Sequence, residues 1–262
     1  MSFFEIQKNG EVGWIYLNRP AKRNFMNWDF WVELPEVVQQ LENDSAVKCL
    51  VIAGHGASFS MGLDLADFGE RLNFLLEENA ANRSRLWDLI LTMQKGFNVL
   101  ENCRKPSIAA VHRHCIGGGL DLIAAADIRY CSADAQFSLR EVKVGIVADM
   151  GSLQRLPHII GEGHTRELAL TGRDIDAETA FRMGLVTKVC SNKEELYLET
   201  QKLAEEIAGH DEEVLRGIKL SLDESRNRNR AEALQSVAMY NAGFLQNSSF
   251  LSLISGLAKR KK

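Results

Sequence analysis

The stretch from Pro106 to Pro157 restricts what this chain can fold into more than any other part of it. Ser107 to Val111 is a short apolar run compatible with a β-strand. Gly117-Gly118-Gly119 then turns the chain sharply, and Leu120 to Ala126 has the leucine and alanine content of a helix. A strand, a glycine turn and a helix in that order leave backbone N–H groups unpaired at the helix N-terminus, aimed where an anion can sit. Three carboxylates, Asp121, Glu141 and Asp149, are spaced along the same stretch. Oxyanion donors with carboxylates near them are the parts of a site that makes and quenches an enolate.

A second glycine exposes backbone upstream, in Met61-Gly62-Leu63-Asp64-Leu65, shortly after the apolar Phe59. Two N–H groups converging on one carbonyl oxygen would stabilise an enolate strongly, since losing one such donor typically costs ~10²–10³ in rate. Other glycine motifs are excluded. Leu122 stands where a dinucleotide fingerprint needs its last glycine, and no Gly-Lys-Ser/Thr follows to make a phosphate loop. The triplet alone is equally a tight turn between packed elements.

Each carboxylate has a bland explanation as well. Asp121 falls in the first turn of the expected helix, where the macrodipole favours an acid by about 0.3–1 kcal/mol. Glu141 follows Arg140 and could be half of a solvated ion pair; Asp149 precedes Ser152-Leu153-Gln154 and could cap a helix. His112 and His114 in H-R-H do not have the spacing of a zinc helix, and Ser60 and Cys115 lack a sequence-level base partner. Lys22 and Arg23 fit either a solvated loop or a phosphate contact, and the basic tail 259–262 reads as a frayed, solubilising end.

Along the rest of the chain, Glu11–Leu17 and Lys48–Ala53 read as strands and Met26–Leu41 as a helix kinked or delayed by Pro35. Asp67 to Cys103 is helical in pattern, with one apolar stripe of Leu86, Leu89, Ile90, Met93, Phe97 and Leu100 that would wall a substrate pocket. Ala177–Met183 reads as a helix stopped by Gly184, and Val186–Val189 as a strand. Glu194–Ile207, Glu212–Leu222 and Arg230–Leu245 then fit helices only. With 262 residues the chain can bury a large core without staples. Its net charge of -4, acids and bases interspersed, gives no nucleic-acid surface. Five scattered cysteines without a C-x-x-C pair fit reduced thiols in a cytoplasmic protein and argue against disulfides or zinc. No run approaches the roughly 18 apolar residues of a membrane span, and no secretory leader is expected.

Taken together, these segments resemble the enoyl-CoA hydratase/isomerase (crotonase) superfamily. Ser58 to Leu65 is similar to its first oxyanion segment and the glycine triplet to its second. Asp121, Glu141 and Asp149, followed by Leu153-Gln154-Arg155-Leu156-Pro157, are most similar to the Δ3,5-Δ2,4-dienoyl-CoA isomerases within it. The likeness runs from Leu17-Asn18-Arg19-Pro20 to Met183-Gly184-Leu185-Val186 and is weak in the C-terminal third.

That resemblance implies an α/β fold: a β-β-α spiral core over residues 1–191 and a C-terminal helical oligomerisation region over 192–262, forming a homotrimer or a dimer of trimers. It implies oxyanion donors at the N–H groups of Leu63 and Gly118, within a substrate-binding set of Met61, Gly62, Leu63, Asp64, Leu65 and Gly118. Glu141 would remove the C2 proton of a 3,5-dienoyl-CoA, Asp149 would protonate C6, and Asp121 would tune the pair. No metal or other cofactor is required, CoA being part of the substrate. The expected partners are an acyl-CoA thioester and further copies of the chain, with no nucleic acid and no membrane. Two rival readings remain: a 2-enoyl-CoA hydratase activating water with Asp121 and Glu141, and a non-catalytic acyl-CoA- or RNA-binding relative. The balanced charge disfavours RNA.

Overall fold

A computed structural model describes residues 2–245 and 247–259. The chain opens with an antiparallel pair, β1 (Phe4–Asn9) and β2 (Val12–Leu17). Helix α1 (Trp28–Glu42) follows, burying Phe30, Trp31, Leu34, Val37, Val38 and Leu41 along one face. Pro35 lies inside α1, and the helix continues through it. The apolar run at 49–54 is β3 (Cys49–Gly54), parallel to β2. Helix α2 (Leu65–Arg71), a 3₁₀ turn at Asn73–Leu76 and helix α3 (Ala80–Glu101) lead to β4 (Ser107–Val111). The single helical pattern expected from Asp67 to Cys103 is therefore broken. Asp64 and Asn79 each cap a helix start with a side-chain oxygen, so the segment restarts at Asn79.

The glycine turn does not follow β4 directly. Arg113, with φ 52°, reverses the chain and inserts a short strand, β5 (His114–Ile116), before helix α4 (Gly118–Ala124). Strands β6 (Ile128–Ser132) and β7 (Gln136–Ser138) come next, then helix α5 (Ser152–Thr171), broken at Gly161 with φ 79°. After β8 (Asp174–Asp176), helix α6 (Ala177–Met183) stops at Gly184 as expected, and β9 (Lys188–Cys190) starts two residues later than the sequence pattern suggested. Four helices complete the described chain: α7 (Lys193–Ala208), α8 (Glu212–Asn227), α9 (Arg230–Phe244) and α10 (Ser248–Lys259). The sequence pattern did not single out α10, and residues 260–262 of the basic tail lie outside the described residues.

Six strands form one sheet in the order β1-β2-β3-β4-β6-β9, parallel except at the first pair, and β5-β7-β8 form a second. The continuous apolar runs have the reason given by parallel sheets: both faces are covered. Ile15, Leu17, Leu50, Ile52, Ala109 and Val111 pack into the core with α1, α3 and α4. The alternate residues, including Trp14, Tyr16, Val51 and Ala110, pack against Leu196, Ala204 and Ala208 of α7. This is the α/β architecture with a helical C-terminal region that the sequence implied. No described helix is long and apolar enough to cross a membrane.

Candidate active site

The loop after β3 and the turn after β5 are joined by backbone pairing. Ser60 bridges Cys115, Met26 bridges Leu63, and the Ile116 N–H donates to the Ser60 carbonyl at 3.1 Å. Gly62 makes this approach possible. Its φ is 85°, and a methyl group there would lie 2.6 Å from the Ile116 carbonyl oxygen and 3.5 Å from the Gly118 nitrogen. Leu63 and Gly118 are thereby brought to one place. Among the described residues, neither of their N–H groups donates to a protein acceptor, which leaves both free for a ligand oxygen.

Asn24 is the residue that sequence reasoning missed here. It is fully buried with φ 53°, and its amide donates to the carbonyls of His55, Ser58 and Phe59 at 2.9–3.0 Å. It therefore fixes the backbone of the first oxyanion segment. Its only sequence signal is an asparagine, a residue tolerant of the left-handed region, following the Pro20 turn.

The three acids and both glycine segments line one cavity of about 440 Å³, within the usual range for a small-molecule site. Apart from Arg140 its remaining wall is largely apolar, with Phe68, Leu72 and Leu75 from one side and Leu86, Leu89, Ile90 and Met93 of the expected α3 stripe. Met61, Gly62, Leu63, Leu65 and Gly118 line it too, whereas Asp64 does not. Asp64 instead caps α2 and pairs with Arg19 at 2.5 Å, so its side chain serves the loop.

Glu141 opens the short 3₁₀ helix Glu141–Val144 that follows β7. Arg140 does not pair with it; Arg140 binds both carboxylate oxygens of Asp174 at 2.7 Å. A methyl group on Gly117 would lie 3.2 Å from Glu141 Oε1, and Glu141 Oε2 is buried without a partner among the described residues. Burial, with the charges of Asp121 and Asp149 behind it, raises the Glu141 pKa to about 7. Asp121 sits in the first turn of α4 as expected but is 1% exposed. Its Oδ1 accepts the Ser152 N–H at 2.9 Å, and burial lifts its pKa to about 6 against that bond. Asp149 is not a helix cap, since Gly151 holds that position on α5. It is half-buried, its pKa is raised by burial, and its backbone carbonyl accepts the Gln94 side-chain amide at 2.7 Å.

The other candidates are structural. Ser60 Oγ donates to the Asn24 carbonyl and accepts the Gly62 N–H, and burial raises the Cys115 thiol well above its ordinary pKa. His112 is held down to about 4 by burial, neutral against the Gly56 carbonyl. Among the described residues no group of three His, Cys, Asp or Glu side chains could hold a metal ion.

Residues 7–261 match the family model described as enoyl-CoA hydratase/isomerase. A human protein named mitochondrial Delta(3,5)-Delta(2,4)-dienoyl-CoA isomerase is 40% identical over 95% of this chain and 76% of its own length. An Arabidopsis thaliana protein named peroxisomal Delta(3,5)-Delta(2,4)-dienoyl-CoA isomerase is 38% identical over 98% of this chain and 94% of its own. A Thermobifida fusca structure in complex with CoA superposes with a TM-score of 0.81, at 28% identity, over 98% of this chain and 95% of that one. The names of the two isomerases correct the expectation of a cytoplasmic protein drawn from the cysteines, because they place such relatives in mitochondria and peroxisomes. Reduced thiols do not distinguish those compartments from the cytosol.

Proposed function

This chain belongs to the enoyl-CoA hydratase/isomerase family, and from that premise we propose that it isomerises 3,5-dienoyl-CoA to 2,4-dienoyl-CoA. The observation that carries the reading is the third acid. Asp149 lines the same apolar cavity as Asp121 and Glu141. A hydratase needs two acids around one water; a third in an apolar wall suits proton transfer at a remote carbon.

In this mechanism the thioester oxygen accepts the N–H groups of Leu63 and Gly118. Glu141, with a pKa of about 7, is ionised enough at neutral pH to remove the C2 proton and basic enough to hold it. The electron pair moves into the thioester and along the diene, and Asp149 delivers its proton to C6. The double bonds shift from C3 and C5 to C2 and C4. Glu141 then returns its proton to water and Asp149 regains one. Asp121, buried and hydrogen-bonded to Ser152, sets the electrostatic field on Glu141. The chemistry is proton transfer alone and asks for no metal or redox cofactor. CoA enters as part of the substrate; the guanidinium of Arg23, a candidate for its phosphates, lies 5.9 Å from the ring of Phe25, which lines the cavity.

The C-terminal helices support assembly into a trimer or a pair of trimers. Helix α9 has no buried residue, and Leu234, Met239, Phe244, Leu251, Leu253 and Ile254 are exposed along α9 and α10.

The test supplies purified protein with 3,5-dienoyl-CoA and with 2-enoyl-CoA in parallel and follows the ultraviolet absorption of each. Growth of the 2,4-dienoyl thioester band, abolished by Glu141→Gln, is expected. Consumption of 2-enoyl-CoA alone would make the protein a hydratase.

A further inference from the structure

Helix α3 carries two stripes. Leu86, Leu89, Ile90 and Met93 face the acyl cavity. Beside them Gln94, Asn98 and Glu101, at i, i+4 and i+7, face the segment that bears Asp149. Glu101 also meets Arg226 of α8 at 3.6 Å, and the other side-chain contacts of this stripe hold that segment. Gln94 Nε2 donates to the Asp149 carbonyl at 2.7 Å. Asn98 Oδ1 and Glu101 Oε2 each accept from Arg155 Nη2 at 2.7 Å, and Arg155 Nη1 donates to the Met150 carbonyl at 3.1 Å.

Arg155 is 7% exposed, and the chain passes directly over it. Gly151 has φ 108°, and a methyl group there would lie 1.9 Å from Arg155 Nη1. Ahead of Asp149 the segment is open, with Ile146 and Val147 43% and 75% exposed; beside it Ala148 and Met150 are buried, and Ser152 is held by Asp121. Asp149 stands on the partition between the apolar acyl cavity and a polar cavity of about 530 Å³ lined by Gln94, Asn98, Glu101 and Arg155. Glu141 depends on none of these contacts, being carried by β7 and the Gly117 turn.

We propose that Gln94, backed by the Arg155 clamp on Asn98 and Glu101, is the positioning residue for remote proton delivery, fixing Asp149 at the far end of the diene. The inference rests on the isomerase reading above. It makes one helix both the wall that the acyl chain lies against and the anchor of the acid that protonates it. The bond from Gln94 reaches the backbone of Asp149, so it controls where the carboxyl stands and leaves its chemistry alone.

The test is Gln94→Met, which keeps the length of a half-buried side chain and removes the donor. Displacing a reacting group by about 1 Å can lower a rate by up to ~10²-fold, so kcat for 3,5-dienoyl-CoA should fall roughly tenfold or more. KM should stay within about twofold, because binding by the oxyanion donors and the apolar wall is untouched. The kinetic effect of replacing H₂O by D₂O should grow, because delivery from Asp149 becomes the slow step; a general loosening of the fold would not produce that change. A kcat within about twofold of the wild type, or a loss of kcat with an unchanged solvent isotope effect, overturns the assignment. A wild-type protein inert toward 3,5-dienoyl-CoA would instead overturn the isomerase reading.

Discussion

Replacing Asp121 by Asn tests the electrostatics of the site at two levels. Asp121 is 1% exposed, and burial raises its pKa from 3.8 to about 6. The folded protein therefore holds this proton more tightly than the unfolded chain, so stability falls as pH rises from about 4 to about 6 and is level above. The rise corresponds to roughly 3 kcal/mol against the charged form at pH 7.5. Asn still accepts the Ser152 N–H, now at 2.9 Å, through a neutral bond weaker by about 1 kcal/mol. Asp121→Asn should thus be more stable than the wild type by roughly 1–2 kcal/mol at pH 7.5, with the advantage gone at about pH 5 and reversed at about pH 4. Glu141 should respond as well, since the Asp121 charge is the largest cause of its raised pKa after burial. Without that charge the rising limb of the pH–rate profile, set by Glu141 near 7, should move to lower pH by roughly 0.5–1 unit. Urea unfolding at the two pH values and isomerase kcat/KM across the neutral range measure both effects. A limb that stays put or moves to higher pH refutes the coupling. A lower urea midpoint at pH 7.5 refutes the burial argument.

Asp149→Asn should lose most isomerase activity while still binding CoA esters, because it keeps size and removes the exchangeable proton; isomerisation at the wild-type rate would make the hydratase reading the better one. Gly62→Ala combines a φ of 85° with a methyl group 2.6 Å from the Ile116 carbonyl, so kcat should fall by ~10² or more as the Leu63 donor is displaced, with circular dichroism showing whether the fold survives. Ending the chain after Asn229, which removes α9 and α10, should give monomers or aggregates by light scattering if those exposed apolar faces meet other copies. A well-behaved trimer of the shortened chain would remove them from the interface.

The sequence by itself determined the parts that depend on local rules. The apolar run Lys48–Ala53 read as a strand covered on both faces and Ser107–Val111 as compatible with a strand, Gly184 as the stop of α6, and two glycine segments followed by three acids pointed to enolate chemistry. Local rules also misread several places: the break at Asn79, the strand β5 forced in by Arg113 with φ 52°, and Asp64, which a motif placed at the site and which in fact pairs with Arg19. Only the tertiary structure decided that Asp121 is a buried acid rather than a dipole-stabilised surface one, because Ser152, which covers it, lies 31 residues away. It likewise decided that Arg140 turns from Glu141 toward Asp174, leaving Glu141 Oε2 without a partner. A carboxylate's pKa follows from what surrounds it, and those neighbours come from distant strands and helices that no local pattern names.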